Sequence, residues 1–361
     1  MIQLDKKDYG AALALFQNSR HQMKLQALAE GHIEAAMWAD GPEPSVAIVS
    51  YCDKLLVAST LPAAALTTLL RPFLLRHVYE RRMGCNAEEA LLCWNGEGVC
   101  DALLAALEDK CPAYTLREYY ELDDLFSCKP HSPPEGYAIV PVDAALLEQG
   151  YARTDALRNE MCSERADVDS FLAQSFGVAA VTDGVLAGWC LSEYNTRAGC
   201  EVGIEVEEGH RRRGLALAMV AAFCEEAARG NLKRVGWHCF KTNTPSSATA
   251  LSAGFRRVLE YGELFCFFEP ALQYAVNGNF CDNAGRFSQA VTWYRRAVAE
   301  PGVPLWAYVR LAMALASQGF ADMAFDPLVT AVRKGFCNWG WLRSEPRLEP
   351  LREDDRWRLI F

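Results

Sequence analysis

The sequence has no C-x-x-C pair and no zinc-like spacing of cysteine and histidine, although its 14 cysteines are scattered from Cys52 to Cys337. That excludes a zinc finger or ribbon and leads to the expectation of reduced, mostly buried thiols with no metal site. The start, MIQLDKKDYG, lacks the basic stretch and apolar run of a secretory leader, so the expected compartment is the cytoplasm. No apolar run is long and unbroken enough to span a membrane. The longest, LPAAALTTLLRPFLLRHVY at 61–79, contains two arginines and an internal proline and reads as a buried or amphipathic helix. Excess positive charge is also missing: 36 Lys+Arg stand against 46 Asp+Glu, a net charge of −10. This argues against nucleic acid or an anionic membrane as partner and suits a cationic or amine ligand.

What is present is core material. Of 361 residues, 51% are apolar and 23% charged, which excludes a disordered chain and points to two or three domains. The stretch SCKPHSPPEG at 127–136, with three prolines in ten residues, is a linker. A second boundary falls near Glu269–Pro270, beyond which the spacing becomes helical. The expected domains are therefore 1–130, 137–270 and 271–361.

The first two segments share an element order, β-α-α-β-β-β-α-β-α-β-β, which predicts a duplicated α/β fold. The closing β-β of each is read as a hairpin, at YTLREYYEL (114–122) and FRRVLEYGELFCFF (255–268). The third segment repeats with an offset of 34 residues: Ala290 aligns with Ala324, Ala297 with Ala331 and Val298 with Val332. This period and these small residues resemble tetratricopeptide (TPR) repeats, in which paired helices pack closely. The resemblance implies an all-α C-terminal domain that packs on the rest of the chain or recruits a protein partner.

Chemistry concentrates in CEVGIEVEEGHRRRGLALAMVAAFCEEAA at 200–228. An alternating strand leads through an acidic turn to Arg211, Arg212, Arg213, Gly214, Leu215 and Ala216, which open an amphipathic helix. Unpaired N–H groups and the positive end of the helix dipole favour a phosphate there, and Gly214 and Ala216 allow close approach. Arg211, Gly214 and Ala216 fit the pattern [Q/R]-x-x-G-x-[G/A]. With the second run at 232–265, containing Trp237-His238-Cys239, Asn243, Ser246, Ser247, Ala250 and Gly254-Phe255, the segment resembles the GNAT superfamily of acyl-CoA-dependent N-acyltransferases. Residues 1–270 are most similar to a bacterial branch that includes zwittermicin-type self-resistance acetyltransferases, whose members carry a degenerate N-terminal half.

The resemblance implies an acetyl-CoA-dependent N-acetyltransferase acting by direct attack of a primary amine, either a small molecule or a protein lysine or N-terminus. The amides of 212–216 would hold the pyrophosphate, Arg211 to Arg213 would add charge, Val206 would offer an oxyanion N–H, and Asn243, Ser246 and Ser247 would flank pantetheine. Glu201 and Glu205, at i and i+4 on one strand face, are candidate general bases, against the alternative of solvent-facing strand residues. The family's tyrosine acid position holds Leu251, so Tyr261 is the substitute candidate, against hairpin packing. His238 reads first as a structural residue, and His210, just before the arginines, either touches phosphate or simply forms the loop. Cys190 and Cys239 lack a readable His/Asp partnership, which argues against a thiol nucleophile. Glu193, Tyr194, Arg158, Asn159 and Glu160 are candidates for the substrate side. The first half has STLPAAAL (59–66) where a phosphate loop would stand, with a proline and no basic residue, and is not expected to bind CoA. The competing expectation is a non-catalytic acyl-CoA-binding protein or a TPR-mediated scaffold.

Overall fold

The computed structural model describes residues 1–17, 19–82 and 88–360. The first half contains β1 (Ile2–Gln3), α1 (Tyr9–Ala14), α2 (Gln22–Ala29), β2 (Ala36–Ala39), β3 (Val46–Tyr51), β4 (Lys54–Ser59), α3 (Ala63–Leu74), β5 (Glu89–Asn95), α4 (Val99–Ala106) and β6 (Ala113–Leu122). The second contains β7 (Ala138–Pro141), α5 (Ala144–Glu148), α6 (Thr154–Met161), α7 (Val168–Gln174), β8 (Gly177–Thr182) and β9 (Val185–Glu193). It continues with β10 (Gly199–Val206), α8 (Leu215–Arg229), β11 (Arg234–Phe240), α9 (Thr244–Ala253) and β12 (Arg256–Phe267). Helices complete the chain: α10 (Pro270–Asn283), α11 (Phe287–Ala299), α12 (Leu305–Ala316), α13 (Ala321–Arg333), α14 (Trp339–Ser344), α15 (Glu349–Arg352) and α16 (Asp355–Ile360).

The duplicated order is visible in these elements, with two corrections: the second half has three helices, α5, α6 and α7, where two were expected, and the closing hairpin expected in each half is a single long strand, β6 and β12. Gly262 lies inside β12 without a positive φ, so nothing turns the chain there. No described helix is long and apolar enough to cross a membrane, and no described cysteine is in a disulfide.

Two compact units divide the chain, and they cut across the sequential division into 1–130, 137–270 and 271–361. One comprises Ile2–Cys52 with Leu116–Gly262, the other Asp53–Thr115 with Glu263–Phe361 and Met1. The physical reason in the first unit is strand pairing between sequence-distant segments. β6 pairs antiparallel with β11, from Leu122 opposite Val235 to Arg117 opposite Phe240, so a strand of the first half is built into the sheet of the second.

Within that unit β9 separates two cores, and a bulge at Ala187, where Ala180 pairs with Gly188 but Val181 with Leu186, shifts the alternation by one residue. Ala187 and Cys190 face the core formed with α8, while Leu186, Trp189 and Leu191 belong to the core of α5, α6 and α7. Helix α8 buries Leu215, Ala218, Met219, Phe223, Cys224 and Ala227 at three-and-four spacing, and Val220 and Ala221 widen that stripe.

In the other unit β4 pairs parallel with β5, and β5 pairs antiparallel with residues 264–267 of β12. The matched alanines of the 34-residue offset, Ala290 and Ala324, Ala297 and Ala331, are all fully buried. Gly278 of α10 lets the Tyr294 ring of α11 pass where a Cβ would stand, 2.6 Å away. The Asp282 carboxylate, with no exposed side-chain surface, is held by both terminal nitrogens of Arg347 at 2.7 Å.

Candidate active site

β10 pairs parallel with β11 over Gly199, Cys200 and Glu201 only, whereas its antiparallel pairing with β9 continues from Glu201 to Val206. Beyond Glu201 the two parallel strands have separated. Glu207 N–H donates to Ala187 O at 2.9 Å, and alternation along the ladder then assigns 201, 203 and 205 to bonds with β9. The backbone groups of Val202, Ile204 and Val206 therefore turn toward the opened side. Arg211 reaches back across this end, its Nε–H donating to Val206 O at 2.8 Å.

The chain then makes a 3-10 turn at Glu208–His210 and enters α8 through Arg212 at φ +61 and Gly214 at φ +84. The first intrahelical bond is from Ala218 N–H to Gly214 O, so the preceding amides of the first turn are open to an anion. A Cβ on Gly214 would lie 2.9 Å from His131 Nε2, which places the linker beside the helix start. Tyr137 OH meets His210 Nδ1 at 2.8 Å and accepts from Arg213 at 3.2 Å, fixing the outer wall of the turn. Val206, Arg211, Arg212, Arg213, Gly214, Leu215 and Ala216 thus lie along one continuous path, as the motif required.

Asn243, Ser246 and Ser247 serve local structure. The Asn243 side chain caps α9 by accepting from Ser246 N–H at 3.2 Å, Ser246 Oγ accepts from Trp237 Nε1 at 3.0 Å, and Ser247 Oγ donates to Thr244 O at 3.1 Å. Leu251, on the same helix, is 52% exposed.

The structure joins Glu201 and Tyr261 through a residue that the sequence left as structural. Tyr261 OH lies 2.6 Å from His238 Nδ1, and His238 Nε2 lies 3.3 Å from Glu201 Oε1. Glu201 Oε2 in turn lies 3.4 Å from Lys24 Nζ, supplied by α2. The hydrogen-bond pattern assigns one consistent set of protons: Tyr261 donates to Nδ1, Nε2–H donates to Glu201, and Lys24 compensates the carboxylate. Tyr119 stacks on His238 at 4.5 Å, and Lys24 lies 4.6 Å from the Tyr194 ring centre. Burial alone would raise the Glu201 pKa, but Lys24 and His238 outweigh it and bring it down to about 2. Burial lowers the His238 pKa below the ordinary imidazole value in spite of that neighbouring charge.

Glu205 is held differently, in an ion pair with Arg153, whose Nε also meets Glu207 at 3.2 Å and whose guanidinium lies over Trp189 at 4.7 Å. Glu193 and Glu160 line a small cleft with Glu164, Arg165 and Ser192. Tyr194 is buried and donates to Glu164, while Arg158 is spent on Leu147 O at 3.3 Å. Cys190 is fully buried with its thiol pKa pushed far up by burial, and burial raises that of Cys239 as well, so neither is a ready thiolate.

Lys24, Tyr119 and His238 belong to the buried cluster around Glu201; sequence reasoning set His238 aside as structural and did not single out Lys24 or Tyr119. One signal for His238 was available: Trp237 and Cys239 are apolar on one strand face, which places His238 on the face of Gly236, the register partner of Glu201. Nothing local to Lys24 indicated its partner.

A mixed sheet that opens beyond one short parallel pair, beside a glycine-turned helix start, defines a GNAT-type acyltransferase fold. The chain belongs to the GNAT acetyltransferase family, whose family model matches residues 13–264. Among solved structures it is similar to a GCN5-related N-acetyltransferase-like protein from Streptococcus suis, at 17% identity over 72% of this chain and 98% of that one, with a TM-score of 0.54. A Drosophila protein gives 17% identity over 74% and 98%, with a TM-score of 0.52. A tandem GNAT protein from the clavulanic acid biosynthesis pathway gives 14% identity over 74% and 98%, with a TM-score of 0.48. No curated protein matches the sequence.

Proposed function

We propose that the protein is an N-acetyltransferase that transfers the acetyl group of acetyl-CoA to a primary amine by direct attack. The observation that carries this reading is the opening of β10 beyond Glu201, with the Val206 backbone turned into the gap and the Arg211–Ala216 turn at its end. In this reading the amides of 212–216 hold the pyrophosphate, Arg211 to Arg213 add charge, and pantetheine runs along Ile204 to Val206. The thioester oxygen meets the Val206 N–H, which stabilises the charge that develops on attack. Asn243, Ser246 and Ser247 act as the frame of the adjoining helix.

The roles of Glu201 and Tyr261 are revised in this reading. Both are 3% exposed, and a carboxylate held near pKa 2 is a poor acceptor for an amine proton. They form a buried chain that fixes the foot of the gap, and Glu205 anchors Arg153. The acceptor is a cationic amine, in keeping with Glu160, Glu164 and Glu193 around the neighbouring cleft. The first half contributes Lys24 and β6 and binds no CoA of its own: α3 starts straight after Pro62, and the Leu61 N–H is already bonded to Ser59 Oγ at 2.9 Å. The C-terminal helices act as TPR-like hairpins that offer a surface to a protein partner, in the cytoplasm.

A second reading, a non-catalytic acyl-CoA-binding protein with a scaffolding tail, is favoured by one observation: Leu251 stands where the family's proton-donating tyrosine is expected. A thiol-release assay with acetyl-CoA and a panel of primary amines separates the two. Amine-dependent release that vanishes in an Arg211→Ala/Gly214→Asp variant supports transfer. Acetyl-CoA binding without release for any amine supports the second reading.

A further inference from the structure

The proline-rich linker at 127–136 is held against its own compact unit near its start. The 3-10 turn at Leu125–Ser127 packs on α8, and Lys129 N–H donates to Ala253 O at 3.0 Å, at the end of α9. Between them Cys128 lies partly exposed against the core that contains Cys224 of α8. The two thiols are hydrogen-bonded to each other, Cys224 S–H donating to the Cys128 sulfur. That bond holds the Cys128 thiol below its ordinary pKa and pushes the Cys224 thiol up. Cys190 and Cys200 belong to the same core but are fully buried, and burial pushes both thiols up. An oxidant arriving from solvent therefore meets Cys128 first, with Cys224 in contact behind it. Three residues further on, His131 Nε2 reaches the start of α8, 2.9 Å from where a Cβ on Gly214 would stand. Cys224 lies about 15 Å along the helix from Gly214, and the chain from 128 to 131 covers at most about 11 Å. With the imidazole making up the difference, the linker runs beside α8 from Cys224 to the helix start.

We propose that Cys128 and Cys224 are a redox modification site: a hydroperoxide such as hydrogen peroxide converts the pair to a disulfide that locks the linker along α8. The Cys128 thiolate attacks one peroxide oxygen and the O–O bond breaks. The sulfur is left as a sulfenic acid, and the displaced oxygen leaves as water with the Cys128 proton. The Cys224 sulfur then forms the S–S bond, the S–O bond breaks, and the hydroxyl departs with the Cys224 proton as a second water. Two thiols and one hydrogen peroxide give one disulfide and two waters; both sulfurs are oxidised and the peroxide is reduced. A small dithiol reverses the step by exchange. The consequence for ligand binding rests on the acetyl-transfer reading above. With the linker locked, the His131 imidazole stays against Gly214, where the pyrophosphate must come close; with the pair reduced, the linker can carry it aside.

The test uses the full-length protein and stoichiometric hydrogen peroxide. Peptide mapping should find Cys128 and Cys224 joined, and dithiothreitol should separate them. Calorimetry should give an acetyl-CoA affinity weaker by at least about tenfold in the oxidised protein, restored on reduction. Cys128→Ala, at a partly exposed linker position, should bind acetyl-CoA as the reduced wild type does and should show no response to peroxide. Absence of the bond between Cys128 and Cys224 overturns the proposal. So does its presence with an affinity within about threefold of the reduced protein, or a response retained in Cys128→Ala. Reduced wild type that binds no acetyl-CoA overturns the acetyl-transfer reading instead. In that case the mapped bond, with slower amide exchange across 127–136 in the oxidised protein, still supports the lock, and unchanged exchange overturns it.

Discussion

The ammonium of Lys24 lies 3.4 Å from the carboxylate of Glu201, and both side chains are more than nine-tenths buried. One belongs to a helix near the start of the chain, the other to the strand on which the expected chemistry runs. The pair compensates a charge that burial would otherwise make costly, so α2 is a structural requirement of the buried cluster around Glu201.

Removing Lys24 should expose that dependence. Lys24→Met leaves a buried carboxylate with His238 alone and is expected to destabilise the fold by about 3–5 kcal/mol. Adding Glu201→Gln removes the stranded charge and should recover part of the loss. Urea unfolding of the two single variants and the double variant measures the coupling; a Lys24→Met cost below about 1 kcal/mol would place the pair among solvent-screened contacts.

Acid should weaken the fold in two stages. Burial depresses the pKa of His21 and His238, so the unfolded chain binds protons that the native state refuses, and stability present above about pH 6.5 is lost as pH falls below it. Glu201 adds a second loss, whole above its ordinary value of 4.5 and progressing as pH drops toward about 2. Thermal melts from pH 8 to pH 3 should show a plateau, then decline. Glu201→Gln should remove the lower stage, and a Tm that stays flat down to pH 4 would contradict the buried-neutral histidines.

Gly214 should be replaceable only at the expense of ligand binding. At φ +84, with His131 Nε2 2.9 Å from the site of a Cβ, Gly214→Ala strains the backbone by about 1–2 kcal/mol and displaces the turn. Calorimetry is expected to give an acetyl-CoA affinity weaker by at least about tenfold, whereas Leu251→Ala, at an exposed position, should leave it unaltered.

The parts legible in the sequence were those written locally. The Arg211–Ala216 turn follows from glycine placement and helix-start chemistry, and the buried Ala290, Ala297, Ala324 and Ala331 follow from a period of 34 residues. Most of the order of strands and helices in both halves was readable for the same reason, apart from the third helix before β8 and the closing strands read as hairpins. What was not readable depends on strand and helix partners far apart in sequence. The pairing of β6 with β11 redraws the compact units, and it brings Tyr119 onto His238. Lys24 on Glu201 has no local signature, so Glu201 read as a general base or as a solvent-facing strand residue, whereas it is a buried, compensated charge. Tyr261 was singled out for its chemistry, and its partner His238 was set aside because a strand histidine between two apolar residues reads as packing.

The structure of the complex with acetyl-CoA tests the central claim most directly. The account predicts the pyrophosphate on the amides of 212–216, pantetheine along the separated stretch of β10, and the thioester oxygen at hydrogen-bond distance from the Val206 N–H. A ligand bound away from Val206 and Gly214, or an empty gap at saturating acetyl-CoA, would contradict it.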